Sequence, residues 1–268
     1  MLLSCIIPTK NEEAHIATSV ASLRPLVDAG VAEVIVVDNA STDRTRELAR
    51  EAGARVFEQG PERSAQRNRG AREAAGEFLL FLDADMILPE ATGREIVGRL
   101  SAPDAPDALW VREIRTGSGL RVKARNFERS FYDATCIDAF RVIRRAVFGR
   151  SGGYDESLWA AEDWDLDRRV LAVTSRVALT DGHLLHDEAR LTLRRVLRKK
   201  AYYAGSFAAY RTKWNNDAIV RKQFGAGYRF FGVFVENGKW RRVLRHPILF
   251  ATMMVERACV GFTYLRHR

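Results

Sequence analysis

Strand-like and helix-like patterns alternate through the first hundred residues, and this order constrains the fold more than any other feature. Short apolar runs typical of buried strands occur at LLSCIIP, EVIVVD (33–38), RVFE (55–58) and FLLFL (78–82). Helical patterns lie between these runs, and Pro25 is expected to break or restart the first helix. Strands joined through helices form parallel sheets with right-handed crossovers. The sequence therefore predicts an α/β fold, with a mostly parallel sheet and helices on both faces.

Polar side chains follow several of the predicted strands directly. Thr9 follows the first strand, Asp38 ends the second, and Asp83 and Asp85 come after FLLFL. The carboxyl ends of parallel strands share one edge of the sheet, where ligands bind in such folds. Two carboxylates one residue apart suit a divalent cation, because hard cations prefer oxygen ligands and offset the repulsion between the acids. Aspartates after strands also cap helices or hold turns, so this pair alone does not decide between the two functions.

Composition and short motifs exclude several classes of protein. A chain of 268 residues with 47% hydrophobic content can bury a substantial core. Cys5, Cys136 and Cys259 are odd in number and lack metal-ligand spacing, which fits a reducing cytoplasm rather than a disulfide framework or a zinc site. The start, MLLSCIIPTKNEE, lacks the basic region and cleavage pattern of a signal peptide and is predicted to be a strand. The absence of a GxGxxG or GxxxxGK[ST] loop weakens dinucleotide-binding and P-loop interpretations.

Five segments, taken in order, resemble the family 2 glycosyltransferases with the GT-A fold. They are IIPTKNE (6–12), VVDNASTD (36–43), QRNRGAREAAGEFLLFLDADM (66–86), GGYDE (152–156) and EDWDLDRR (162–169). The ordered set, rather than any single segment, carries the resemblance, which covers roughly residues 3–190. It implies a Rossmann-like GT-A catalytic domain over residues 1–189, with a nucleotide-sugar-binding half (1–100) and an acceptor and catalytic half (101–189).

The resemblance assigns residues to the sugar donor and its metal. Those implied to hold the nucleotide sugar, most often a uridine derivative, are Pro8, Thr9, Glu12, Asp38, Arg67, Asp83 and Ala84. Arg67 is expected near the base or diphosphate, and Asp83 near the ribose or sugar. Asp85 is the expected ligand of Mg²⁺ or Mn²⁺ on the diphosphate. The family often supplies a histidine ligand in this part of the chain, and His186 has the better context, although His183 stays open.

The EDWDLDRR segment is implied to supply the general base, Asp163, with Glu162 beside it. An acceptor hydroxyl is a poor nucleophile until a carboxylate takes its proton, whereas a cation stabilises the departing diphosphate. The base and the metal ligand must therefore be different carboxylates. Attack opposite the leaving group would invert the anomeric carbon. The same segment could instead be the charged face of a helix, with a pair such as Asp165 and Arg169 at i,i+4.

Residues 190–268 differ in charge from the rest of the chain. They carry 18 Lys and Arg and three acids, although the whole chain has a net charge of only +9. The stretch 191–214 predicts an amphipathic helix with a basic and an apolar side. The basic side has Arg194, Arg195, Arg198 and Lys199, and the apolar side has Val196, Leu197, Ala204, Phe207 and Trp214, with Lys200 and Arg211 as exceptions to the pattern. This composition predicts a basic helical extension that lies on an anionic membrane surface.

Two other interpretations of this extension remain. Its apolar face could cover the catalytic domain, or it could bind nucleic acid, which is the least favoured because no nucleic-acid-binding motif occurs. The last stretch, PILFATMMVERACVGFTYL, is interrupted by Glu256 and Arg257, so neither half reaches the length of a membrane-spanning helix.

Together these features predict a cytoplasmic enzyme, peripheral at the inner face of the cell membrane. It would move one sugar from a nucleotide sugar, with a UDP-sugar favoured, to a hydroxyl of a lipid-linked acceptor or cell-envelope glycan precursor, with inversion. The QxxRW signature of processive synthases is absent, which favours transfer of a single sugar. The alternatives are a nucleotidyltransferase, which should begin with a GxGxRxxP loop, and a catalytically silent membrane-associated adaptor with the same fold.

Overall fold

The first half of the chain alternates strands and helices, as predicted. The computed structural model describes residues 1–187 and 206–266, with side chains described through residue 258. The strands are β1 (Leu3–Thr9), β2 (Ala32–Asp38), β3 (Arg55–Glu58), β4 (Phe78–Phe81) and β5 (Met86–Ile87). The helices are α1 (Ile16–Ser22), α2 (Arg24–Asp28), α3 (Thr45–Glu51), α4 (Glu62–Glu73) and α5 (Glu90–Leu100). Pro25 lies in the first turn of α2, so the predicted restart of the helix is confirmed.

The second half completes the sheet and adds helices. Its strands and the helices between them are β6 (Ala108–Arg115), α6 (Leu120–Arg129), β7 (Phe140–Arg144), α7 (Arg145–Arg150), α8 (Glu162–Val173) and β8 (Val177–His186). Helical residues 206–213 form α9. The remaining elements are α10 (Ala218–Phe224), a π-helical turn (Tyr228–Gly232), α11 (Val233–Val235), a 3₁₀ turn (Glu236–Gly238), α12 (Trp240–Arg245) and α13 (Pro247–Arg266).

The strands form one sheet in the order β3-β2-β1-β4-β7-β6-β8-β5. Strands β1 to β4 are parallel, whereas β7 is antiparallel to both β4 and β6, and β5 is antiparallel to β8. Thr9 pairs with Asp38 at the carboxyl ends of β1 and β2. His186, at the carboxyl end of β8, pairs with Met86 just after Asp85. The predicted α/β fold with a mostly parallel GT-A-like sheet is confirmed, and its carboxyl edge gathers the predicted site residues.

Both faces of the sheet are buried under helices. Alternation along β1 sends Cys5 and Ile7 into the core under α1, α2, α3 and α5, and Ile6 into the core under α4, α7 and α8. Helix α4 lies close to the sheet because Gly70 faces Ile6, and a Cβ at this position would overlap the Ile6 side chain. This close approach brings Arg67, one turn earlier in α4, to the edge of the sheet.

The described C-terminal helices pack against elements of residues 1–187. Helix α13 contacts α6, and the ring of Phe131 lies 4.9 Å from that of Phe234 in the cluster between them. Phe207 of α9 lies 6.1 Å from Trp164 of α8, and Trp214 donates to the buried Asp165. The apolar residues Phe207 and Trp214 therefore pack on α8, which agrees with the interpretation that the apolar face of the extension covers the rest of the protein. The predicted basic side, from Arg194 to Lys199, lies outside the described residues. Among the described helices, none is both long and apolar enough to cross a membrane.

Candidate active site

Asp38 is fixed at the carboxyl ends of β1 and β2. It is wholly buried, and its carboxylate accepts hydrogen bonds from the Thr9 hydroxyl at 3.0 Å and from the Ser41 backbone N–H at 2.8 Å. Thr9 and Asp38 are neighbours because they pair directly in the parallel register of β1 and β2. Gln66 of α4 donates to the carbonyls of Thr9 and Val37, at 2.8 and 2.6 Å, and so joins this helix to both strand ends. The side-chain amide of Gln66 is a positioning contact to which the sequence analysis gave no role.

The other predicted nucleotide residues lie on the loops beside Asp38 and Asp83. Pro8 is buried in β1, and Ala84 is buried between the two aspartates that follow β4. Glu12 is half-buried after β1, and its backbone N–H donates to the Thr45 hydroxyl at 2.7 Å. The fold thus brings Pro8, Glu12 and Ala84 to the carboxyl edge of the sheet, and their roles in binding stay predictions.

Arg67 contacts three acids from distant parts of the sequence. Its Nη2 lies 2.9 Å from Asp83 Oδ1, and its Nη1 lies 3.0 Å from Asp163 Oδ1 and 3.4 Å from Glu162 Oε1. The guanidinium is buried and also lies over the Tyr154 ring, 5.1 Å from its centroid. We call Arg67, Asp83, Glu162 and Asp163 the Arg67 cluster. Arg67 was predicted near the base or diphosphate, but these contacts direct its charge toward the acids that flank the site.

Glu162 and Asp163 begin α8 and have different environments. Ala161 has a left-handed backbone conformation with φ of 61°, which turns the chain into the helix. The Glu162 side chain is only 4% exposed and also contacts Arg63 at 3.2 Å, whereas Asp163 is 28% exposed. Burial, followed by the charge of Asp163, raises the pKa of Glu162. Of the two acids, Asp163 is therefore the more accessible from solvent.

The alternative interpretation of the EDWDLDRR segment holds for part of it. Asp165 pairs with Arg169 at i,i+4, with Arg169 Nη2 2.6 Å from Asp165 Oδ2. The pair is not on a charged outer face, because Asp165 is wholly buried and also accepts from the Trp214 indole at 2.9 Å. Asp165 and Arg169 therefore have structural contacts, whereas Asp163 contacts Arg67.

Asp83 is also held from its other side. Arg141 Nη1 of β7 lies 3.6 Å from Asp83 Oδ2, and Arg141 Nη2 lies 2.6 Å from Glu113 Oε1 of β6. Burial alone would raise the pKa of Asp83, but Arg141 and Arg67 outweigh it and hold this pKa well below its usual range. Glu113 behaves similarly: burial opposes ionisation, yet Arg141 and Arg129 lower its pKa to about 2. Asp83 is thus an ionised carboxylate between two arginines.

Asp85 and His186 are brought together by the pairing of β5 with β8. His186 Nε2 lies 3.1 Å from Asp85 Oδ2, and the Asp187 backbone N–H donates to the Asp85 carbonyl at 2.9 Å. Burial lowers the pKa of His186, but its hydrogen bond to Asp85 and the charge of that acid raise it overall. The His183 backbone instead exchanges hydrogen bonds with the Thr92 hydroxyl. Of the two histidines left open by the sequence, His186 is the one beside Asp85.

Asp85 and His186 fit the partial coordination shell that Mg²⁺ and Mn²⁺ accept. Across residues 1–187 and 206–266, no group of three His, Cys, Asp or Glu side chains converges as a complete metal site. Mg²⁺ at nucleotide sites is commonly held by one or two carboxylates, with phosphate oxygens and water filling the other positions. Asp83 is occupied by Arg67 and Arg141, so it is a poorer candidate ligand than Asp85.

Arg141 and Glu113 have no signal in the sequence that marks them as site residues. They come from β7 and β6, and only the sheet order brings them beside Asp83. Each lies in a strand whose local pattern indicates only burial. Arg141 is buried and donates to Glu113, an acid 28 residues earlier in the chain. This pairing is visible in the folded sheet but not in any local sequence pattern.

Comparison with protein families gives one match that covers more than half of the chain. The model described as Glycosyl transferase family 2 matches residues 4–152. Among curated proteins, the succinoglycan biosynthesis protein ExoA of Rhizobium meliloti (strain 1021) is 30% identical over 198 residues, 66% of this chain and 60% of ExoA. Glycosyltransferase AglJ of Haloferax volcanii is 43% identical over 158 residues, 54% of this chain and 51% of AglJ. The chain thus spans less than two thirds of the length of these relatives.

Solved structures share the fold over nearly the whole chain. S. aureus TarS 1-349 in complex with UDP-GlcNAc superimposes with a TM-score of 0.63 at 20% identity, covering 94% of this chain and 79% of that one. The mannosyltransferase PcManGT from Pyrobaculum calidifontis, in complex with GDP-Man and Mn²⁺, gives a TM-score of 0.63 at 19% identity, covering 97% and 80%. At these identities the similarity concerns the fold alone.

Proposed function

Because this chain belongs to glycosyl transferase family 2, we propose that it transfers one sugar from a nucleotide sugar to an acceptor hydroxyl, with inversion. The observation that carries the proposal is the Arg67 cluster, in which one buried arginine contacts Asp83 on the donor side and Asp163 on α8. TarS and PcManGT were solved with UDP-GlcNAc and GDP-Man, which supports a nucleotide sugar as donor, and we favour a UDP-sugar.

The donor would lie along the carboxyl edge of the sheet. Pro8, Thr9, Glu12 and Asp38 would hold its nucleoside, because they come together where β1 and β2 end. Asp83 would accept hydrogen bonds from ribose or sugar hydroxyls. This role suits a carboxylate whose pKa is well below its usual range after Arg141 and Arg67 overcome the effect of burial.

Asp85 and His186 would hold Mg²⁺ or Mn²⁺ against the donor diphosphate. When bound, such a cation stabilises the negative charge on the departing diphosphate. The support within this chain is the 3.1 Å contact between Asp85 and His186 at the same edge of the sheet. PcManGT was solved with Mn²⁺, which supports a divalent metal.

Asp163 would act as the general base. Its carboxylate takes the proton of the acceptor hydroxyl as the hydroxyl oxygen attacks the anomeric carbon, while the bond from that carbon to the diphosphate breaks. Arg67 orients Asp163 through its 3.0 Å contact, and Glu162 stays turned inward toward Arg63 and Arg67. One displacement of this kind inverts the anomeric configuration.

We further propose that the acceptor is lipid-linked or a cell-envelope glycan precursor, and that the enzyme is cytoplasmic and peripheral at the inner face of the membrane. The basic composition of residues 190–268 supports an anionic surface as its partner, and no nucleic-acid-binding motif suggests otherwise. The relative ExoA is named for succinoglycan biosynthesis, which agrees with a glycan product.

A donor panel tests this function. Purified full-length protein would be heated with UDP-, GDP- and dTDP-sugars, with Mn²⁺ and with EDTA, and then assayed for release of the nucleoside diphosphate. We expect one nucleotide class to raise the Tm only with the cation and to be slowly hydrolysed. In a parallel assay with nucleoside triphosphates and a sugar 1-phosphate, release of pyrophosphate would instead identify a nucleotidyltransferase. Binding without any turnover, with or without candidate acceptors, would identify a silent adaptor.

A further inference from the structure

Helix α13 has one face packed on the catalytic domain. Met253 is buried, and the Phe250 ring lies 5.3 Å from Phe234 in the cluster between α13 and α6. Arg257 Nε lies 2.7 Å from Glu128 Oε1 of α6 on the same side. These contacts fix the orientation of α13, so its opposite face is directed away from the domain.

That opposite face is apolar as well. Ile248 is 69% exposed and Val255 is 64% exposed, and Ala251 and Ala258 are exposed between and after them. The spacings of three and four residues place these side chains on one stripe of the helix. Leu244, at the end of α12, is 71% exposed. A surface helix normally presents polar residues to water, and a helix that is apolar on both sides is expected to have a second partner.

Basic and aromatic side chains lie directly before this stripe. Arg241, Arg242 and Arg245 of α12 are exposed, and Arg241 stacks 5.6 Å from the ring of the half-exposed Trp240. Within the part of the chain that the structure describes, neither Arg241 nor Arg245 forms an ion pair. The α12–α13 face is defined as Trp240, Arg241, Leu244, Arg245, Ile248, Ala251 and Val255. It thus combines exposed apolar side chains with two arginines that have no acidic partner among the described residues.

We infer that the α12–α13 face docks the protein on an anionic lipid bilayer. The apolar stripe enters the boundary between headgroups and acyl chains, while the arginines contact lipid phosphates and Trp240 lies at headgroup level. The inference rests on the proposed function only in that a lipid-linked acceptor gives the docking its purpose. It goes further by assigning the contact to this face, since Phe207 and Trp214 of the predicted amphipathic helix are directed toward α8.

Charge favours a bilayer over the other possible occupants. A second copy related by two-fold symmetry would bury this same face against itself, so that the interface would hold Arg241 and Arg245 of both copies and no acid of the face. The segment 188–205 of this chain is itself rich in Lys and Arg, so it would meet the face with like charge. An anionic lipid surface offers an apolar layer for the exposed apolar side chains of the α12–α13 face and negative charge for its arginines.

Cosedimentation of the full-length protein with lipid vesicles tests this docking. Vesicles of phosphatidylcholine alone would be compared with vesicles that contain about a third phosphatidylglycerol, at low and at high salt. We expect retention on the anionic vesicles and release as salt rises, because surface charges are screened. The double variants Ile248→Ser/Val255→Ser and Arg241→Gln/Arg245→Gln should each weaken the partition by about tenfold or more.

Matched variants control for apolar surface and net charge elsewhere. Leu171→Ser removes an exposed leucine from α8, and Arg24→Gln/Arg94→Gln removes two exposed arginines; both should bind vesicles as the unmodified protein does. All variants change exposed side chains, so their Tm should stay near that of the unmodified protein. The inference is overturned if the α12–α13 variants bind like the controls, if neutral vesicles retain the protein equally, or if the variants instead turn a dimer into a monomer.

The same variants separate this inference from the proposed function. Donor binding and donor hydrolysis need no vesicle, so Ile248→Ser/Val255→Ser should leave both unchanged. A protein that binds anionic vesicles through this face but neither binds nor hydrolyses any nucleotide sugar would contradict the proposed function alone. The reverse result would contradict the docking alone.

Discussion

Arg67 Nη1 lies 3.0 Å from Asp163 Oδ1, although the two residues are 96 positions apart in the chain. The other terminal nitrogen of Arg67 contacts Asp83, so one guanidinium links the acid that follows β4 to the acid that begins α8. Because α4 and α8 cover the same face of the sheet, this link fixes Asp163, the proposed base, relative to Asp83 on the proposed donor side. Rigid placement of that kind is what an acceptor hydroxyl needs to meet both a base and an electrophile.

Replacing Arg67 should cost stability as well as activity. Arg67→Met leaves Glu162, Asp163 and Asp83 without their shared cation, and the unfolding free energy should fall by about 3 kcal/mol or more. Arg63→Met is the matched control, because Arg63 is 36% exposed and Glu162 keeps its contact with Arg67 when Arg63 is removed, so the loss should be about 1 kcal/mol or less. Urea denaturation measures both. Equal losses in the two variants would show that the buried contacts of Arg67 do not hold the cluster together.

Removing the carboxylate charge of Asp85 should uncouple donor binding from the cation. Asp85→Asn should weaken binding of the donor by roughly 10- to 100-fold in Mn²⁺ and leave the residual binding insensitive to EDTA. Asp181→Asn, which changes an aspartate within β8 that is 83% exposed and contacts Arg99, serves as the control and should keep the metal dependence. Isothermal titration calorimetry with the donor that binds most tightly gives the dissociation constant of each variant with Mn²⁺ and with EDTA. Donor binding by the unmodified protein that ignores EDTA would remove Asp85 from the metal role.

Glu113 should contribute stability that depends on pH. Its folded pKa of about 2 lies below the value near 4.3 expected for an unfolded glutamate, so the native state favours the charged form. That contribution is complete above about pH 4.3 and is lost as the pH falls toward about 2. Glu113→Gln should therefore destabilise the protein by about 3 kcal/mol at pH 7 and by clearly less at pH 3. Denaturation curves at both pH values test this prediction. An equal difference in unfolding free energy between Glu113→Gln and the unmodified protein at pH 7 and pH 3 would contradict it.

Ser206 should support the turn before α8. Its hydroxyl accepts from the backbone N–H groups of Trp159 and Ala160, at 3.0 and 2.9 Å, and donates to the Ala160 carbonyl. Ser206→Ala leaves two N–H groups without this partner and should cost about 1–3 kcal/mol. It should also lower kcat while donor affinity stays constant, because the turn leads into Glu162 and Asp163. Ser157→Ala, at an exposed serine of the same loop, is the control. A fall in donor affinity with constant kcat would contradict this positioning role.

The sequence predicts the strands and helices well, but it predicts poorly which side chains contact the site residues. Hydrophobic period and strand-ending acids depend on local sequence, so β1 to β4 and the grouping of Asp38, Asp83 and Asp85 at one edge could be predicted. Arg141 could not, since its contact with Asp83 depends on the antiparallel insertion of β7 beside β4. An apolar stripe likewise indicates that a helix face is covered, but it does not indicate whether the same chain or another partner covers it. Phe207 turns out to cover Trp164, whereas Ile248 stays exposed.

The central claim is that Asp163 takes the proton of the acceptor. Asp163→Asn keeps the shape of the side chain and removes the proton acceptor, so donor affinity should stay near that of the unmodified protein. Transfer to acceptor should fall on the order of 100-fold or more, the usual scale for a lost general base. Glu162→Gln and Asp165→Asn are the matched variants, because both acids are turned inward beside the site.

Single-turnover transfer by Asp163→Asn, measured together with the anomeric configuration of the unmodified enzyme's product, is the most direct test. The account predicts a rate at least about 100-fold below that of the unmodified enzyme and a product of configuration opposite to the donor's. Near-normal transfer by Asp163→Asn would place the base elsewhere, and a retained configuration would contradict the single displacement.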